Sequence, residues 1–194
     1  MQKLSRPDLL SLEQYAVERD RLRAEVIAHK QRRTVQVGPN MTWCFEDRTT
    51  IRYQVLEMLR AERIFESEGI EGELEAYNPL IPDGSNWKVT LLIEFPDPAE
   101  RHAALARLIG IEDRCWVRVS ELDRVFAIAD EDLERETAEK TSAVHFLRFE
   151  LTPAMVAAMR GGASLALGTD HEHYRHSVSP VPPAVRDALA RDLD

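Results

Sequence analysis

Residues 87–95 read Trp87-Lys88-Val89-Thr90-Leu91-Leu92-Ile93-Glu94-Phe95. Apolar side chains at the odd positions alternate with Lys88, Thr90, Leu92 and Glu94. This is the period-two pattern of a strand with one face in a core. Working backwards, residues 34–37 and 42–46 are rich in β-formers and flank Gly38-Pro39-Asn40, so they predict a hairpin. Upstream, Pro7-Asp8 opens a helical segment that runs to Arg33, with a break expected near Asp20. Residues 49–68 consist of good helix formers and stop at Gly69, and a shorter helix over 71–77 ends at Asn78-Pro79.

Working forwards, Asp97-Pro98 starts a helix that ends near Gly110, and residues 114–120 and 124–129 predict two strands joined by a tight turn. The charged stretch 130–140 reads as a solvated loop. Strands over 143–151 and 163–167 bracket a helix that begins at Thr152-Pro153, and Pro182-Pro183 opens a terminal amphipathic helix. The order mixes hairpins with strand–helix–strand units and lacks regular βα alternation. The expectation is an α+β fold with a mixed, mainly antiparallel sheet and helices packed on one face.

The chain has 194 residues, 44% apolar and 30% charged, which fits one domain over residues 1–194 with a core of its own. Its net charge of −9 disfavours a phosphate backbone as partner. The nearest basic patch, His29-Lys30-Gln31-Arg32-Arg33, falls where cations complement a helix end. Cys44 and Cys115 form no CxxC or other ligand spacing and read as strand residues. No apolar run approaches membrane-spanning length and no signal region opens the chain, so no membrane association and a cytoplasmic location are expected. The glycine-rich nucleotide-binding patterns, the hydrolase GxSxG and the zinc-protease HExxH are missing from the sequence.

What invites a function is polar residues on apolar faces. On the helix over 49–68, a 100° step places Glu62 within the arc of Ile51, Val55, Met58 and Leu59, with Glu66 one turn on. A buried carboxylate needs a cation, a proton or hydrogen bonds, so Glu62 is either paired with an arginine such as Arg148 or acts as a metal ligand or base. His145 shares a strand face with Ala143, Leu147, Phe149 and Leu151, as a satisfied core histidine or as a ligand or base. Arg148 and Glu150, on the other face, read as ion-pair partners.

Glu62, Glu66 and His145 together form the candidate polar core site, and carboxylates with imidazole suit iron, manganese or zinc. A second candidate metal set is Asp170, His171, His173 and His176. The proline-stiffened loop with Asn78, Asp83, Asn86, Trp87 and Lys88 is the third candidate, as a binding loop or a structural connection.

Four segments taken together, Phe45-Glu46-Asp47-Arg48, residues 53–60 from Tyr53 to Arg60, residues 78–84 from Asn78 to Gly84, and Lys140-Thr141-Ser142-Ala143-Val144-His145-Phe146, resemble over nearly the whole length a bacterial family of unknown function. That resemblance implies no catalytic set. It implies a setting beside rubrerythrin-like di-iron proteins and heterodisulfide-reductase-like iron–sulfur proteins. The expected role is an accessory or interaction protein for such redox partners, the alternatives being a metal-dependent enzyme or metal-handling protein and a structural homodimer.

Overall fold

The computed structural model describes residues 2–133 and 135–194. The fold is α+β, and its strands form two sheets. The first helix, α1 (Leu12–Lys30), is capped by Ser11, which accepts from the Gln14 amide while the Gln14 side chain accepts from the Ser11 amide. It runs through Asp20 without the expected break. Strands β1 (Thr34–Gln36) and β2 (Met41–Glu46) form the expected hairpin. Asp47 then caps α2 (Arg48–Glu62) by accepting from the Thr49 and Thr50 amides.

The helix expected over 49–68 is two helices. At Arg63 the backbone turns left-handed (φ 56°), and α3 (Ser67–Tyr77) starts in a new direction. Tertiary packing overrides helix propensity here. Leu59 and Leu74 share a small core with Leu4, Ile51, Val55 and Ile81, against which Ile64 and Ile70 pack.

Strand β3 (Asn86–Ile93) buries Trp87, Val89, Leu91 and Ile93, the face expected from the alternation. After it come α4 (Pro98–Arg107), β4 (Cys115–Val119), β5 (Val125–Phe126), β6 (Ile128–Ala129) and β7 (Val144–Glu150). The chain closes with α5 (Pro153–Arg160), β8 (Leu165–His171), β9 (Tyr174–Val178) and α6 (Pro183–Ala190). Strand β8 extends past the expected 163–167, and β9 takes in part of the histidine-rich segment.

Every ladder is antiparallel, in the orders β1-β2-β3-β7-β6 and β5-β4-β8-β9. Residues 125–129 serve both sheets: Phe126 pairs with Trp116 on β4, and Ile128 pairs with Arg148 on β7. One apolar cluster lies between the sheets and takes in Met155 and Met159 of α5 and Val185 and Leu189 of α6. In its middle Trp43 stacks on Phe149 at 5.4 Å between ring centroids. Among the described residues no helix is long and apolar enough to cross a membrane.

Candidate functional site

His145 lies on the inward face of β7 beside Leu147 and Phe149 and is fully buried. An imidazole there has to satisfy two ring nitrogens without water. Nδ1 lies 2.6 Å from Asp130 Oδ2, and Nε2 lies 2.9 Å from Thr141 Oγ1 and 3.1 Å from the Ser142 carbonyl. Beyond them Glu112 Oε2 stands 3.8 Å from Nε2 and accepts from the Thr141 hydroxyl at 3.4 Å. Glu112, Asp130 and His145 are the set of three metal-capable side chains that converges among the described residues.

The backbone explains how these groups meet. Asp130 follows β6 in a left-handed conformation (φ 48°) that aspartate tolerates. It clasps residue 146 from both sides: its amide donates to the Phe146 carbonyl and its Oδ1 accepts from the Phe146 amide at 2.9 Å. This fixes its other oxygen on His145. Glu112 comes from the turn after α4, and Thr141 is tethered by its amide to the Leu105 carbonyl. Burial pushes the Glu112 carboxyl above the ordinary carboxylate range, against the pull of its own amide and of His145. The stretch 130–140, expected to be solvated throughout, therefore has a buried root at Asp130.

The expected partners of His145 are elsewhere. Glu62 is the last residue of α2 and Glu66 precedes α3, and both are exposed. Glu62 lies on the exposed last turn of α2, beyond its last buried residue Leu59, and the turn at Arg63 takes Glu66 off that helix's stripe. The carboxylates that converge on His145 are Glu112 and Asp130.

The hairpin of β8 and β9 carries Asp170, His171, His173 and His176 without gathering them. Asp170 pairs with Arg124, His171 Nε2 faces the Ile109 carbonyl at 3.1 Å, and His171 Nδ1 accepts from the His173 amide. His176 is exposed and packs against Tyr174.

The loop candidates are mostly structural. Asn78 holds the Leu4 backbone, Asp83 accepts from Ser85 and Asn86, Asn86 also reaches Glu150, and Trp87 Nε1 donates to the Leu189 carbonyl. Lys88 differs. It points to the outward face of β3, into a cleft of about 520 Å³ between the sheet and α3. The cysteines are free, and burial raises both thiols, which works against a thiolate ligand or nucleophile.

Nothing local in the sequence marks Glu112, Asp130 or Thr141. A glutamate and an aspartate in polar turns look solvated until a distant strand covers them. The signal that was available was His145 itself, since a core imidazole requires acceptors.

Fold and site together define an α+β protein of two antiparallel sheets with a buried carboxylate–imidazole–hydroxyl cluster. The chain belongs to the family described as "Protein of unknown function (DUF3501)", whose model matches residues 3–193. It is similar to a solved structure, described as a novel protein of unknown function from Burkholderia pseudomallei K96243. The two share 56% identity over 100% of both chains, with a TM-score of 0.95. No curated protein matches the chain.

Proposed function

We propose that the protein holds a divalent metal ion against His145 and Glu112. The observation that carries this reading is the Asp130–His145 bond. A carboxylate on Nδ1 fixes the ring so that Nε2 is presented to a ligand, the arrangement in which histidines bind metal. Around Nε2, the Thr141 hydroxyl, the Ser142 carbonyl and Glu112 Oε2 stand 2.9, 3.1 and 3.8 Å away. Neighbouring donors in a shell with bonds of about 2.1 Å are roughly 3.0–3.4 Å apart. The Thr141 and Ser142 oxygens stand from Nε2 at close to that spacing, so a metal on the Nε2 lone pair would replace its present hydrogen bonds to them, with an inward move of Glu112. One imidazole with oxygen donors suits manganese, iron or zinc.

Elemental analysis of untagged protein, reconstituted anaerobically with each of these metals in turn, tests the proposal. About one equivalent per chain is expected for the preferred metal, His145→Gln and Glu112→Gln abolish it, and Asp130→Asn weakens it about 10- to 100-fold. Glu62→Gln leaves it unchanged. Sub-stoichiometric metal in the wild type with all three ions overturns the reading. The accessory role beside an iron–sulfur or di-iron redox partner rests on the family resemblance alone, whereas the metal reading has a geometric basis.

A further inference from the structure

The cleft over the outward face of β3 and β7 has no part in the metal reading. Its sheet side is formed by Lys88, Phe146 and Arg148, and its helical wall by Tyr77, with Pro79 and Leu80 following. Its volume of about 520 Å³ is in the range of small-molecule sites.

The charges in it are unevenly matched. Arg148 donates from Nε and Nη2 to the two oxygens of Glu131, at 2.8 Å each, and from Nη1 to Glu150 at 2.6 Å. Arg135 lies over the Phe146 ring at 4.6 Å and is held by Asp132 and Asp130. Two charges are the exceptions: among the described residues neither the Lys88 ammonium nor the Glu73 carboxyl, which burial raises, has a hydrogen-bond or ion-pair partner, and Glu73 is not among the charges that act on Lys88.

The acids near Lys88 are engaged elsewhere. Glu46, opposite it on β2, accepts from the hydroxyls of Thr50 and Thr90. Asp83 is taken up by Ser85 and Asn86, and Glu131 by Arg148. The half-buried ammonium therefore gives up part of its hydration with only the longer-range attraction of Glu131 and Asp83 in return. Burial and the neighbouring Arg148 charge accordingly depress its pKa.

We infer that the cleft binds a small carboxylate with an apolar tail, its head group on Lys88 and its chain along Tyr77, Leu80 and Phe146. The carboxylate supplies the acceptor that Lys88 lacks, and the ring and aliphatic surfaces cover a tail of several methylenes. A cationic head group placed at Lys88 would be repelled by it and by Arg148. A neutral one would offer the ammonium no charge-assisted hydrogen bond.

Titration of the protein with octanoate, followed by ¹H–¹⁵N correlation spectra, tests this, with 1-octanol as the neutral match of equal chain length. Expected are saturable shifts of the Tyr77, Lys88 and Phe146 amides by octanoate and binding of octanol weaker by about tenfold or more. Lys88→Gln lowers octanoate affinity by a similar factor, and Lys88→Arg retains most of it. Equal affinity for octanoate and octanol in the wild type overturns the inference, as does octanoate binding that is absent or unaffected by Lys88→Gln. The metal content of the same samples is a separate readout, so the two proposals fail independently.

Discussion

Two clusters of buried charge in this protein are built on different plans. Around Arg33 the carboxylates of Asp47 and Asp192 share one fixed cation. Its guanidinium donates to the Phe45 and Glu46 carbonyls at 3.0 and 3.2 Å, pairs with Asp192, and lies 3.4 Å from Asp47, which also holds His29 at 2.6 Å. Around His145 the plan differs: two carboxylates and a hydroxyl surround one imidazole, Asp130 also pairs with Arg135 at 3.3 Å, and Glu112 has no ion pair with an arginine or lysine among the described residues. The Arg33 cluster ties β2, the start of α2 and the end of the chain into one clamp. The His145 cluster brings one donor atom from each of Glu112, Asp130 and His145 within 4.8 Å of the others. A planar, always-charged guanidinium makes a scaffold, whereas an imidazole can give up a proton to a metal, which is the reading proposed above.

The comparison breaks most visibly at Arg33. Arg33→Met leaves Asp47 and Asp192 buried without their cation, and urea unfolding is expected to show a loss of about 3–5 kcal/mol. A loss under about 1 kcal/mol would mean that the clamp does not hold the chain end. His145→Gln comes next, with an expected loss of about 1–3 kcal/mol in metal-free protein, because the amide satisfies only part of the network. If it equals the Arg33 loss, the two clusters are alike in kind.

The last effect is read through pH. Burial pushes the Asp192 carboxyl from 3.8 up to about 6, since Arg33 is shared with Asp47, whose charge adds to the rise. The folded protein therefore holds a proton that the unfolded chain releases between those values. The contribution of Asp192 to stability is full below pH 3.8, declines as pH rises towards 6, and is flat above. Melting temperatures of wild type minus Asp192→Asn, measured across this range, should fall with rising pH and then level off.

Much of the fold was legible because its signals are local. The β3 alternation, the hairpin around Gly38, and the Asp97-Pro98 and Thr152-Pro153 helix starts each rest on a few adjacent residues. The break at Arg63 was not legible, because arginine carries none of the usual left-handed signature and the helix formers continue on both sides. Strand β9 was hidden because its exposed face carries His176, which drew the segment towards a metal reading. In the site, His145 stood out as a histidine among apolar neighbours. Its partners come from 33, 15 and 4 positions away, and only the folded sheet brings them together. Arg33 was read as a helix-end cation, yet its acceptor Asp192 lies 159 residues on. No spacing rule reaches that far.

The short segment 125–129, which gives two residues to one sheet and two to the other, makes the sheets share an edge. If it lifts away, β4 loses Phe126 and β7 loses Ile128 in the same event, so neither ladder can fray at that border alone. The consequence is cooperativity: amide exchange in β4 and β7 should respond together to denaturant, one opening reported from two places.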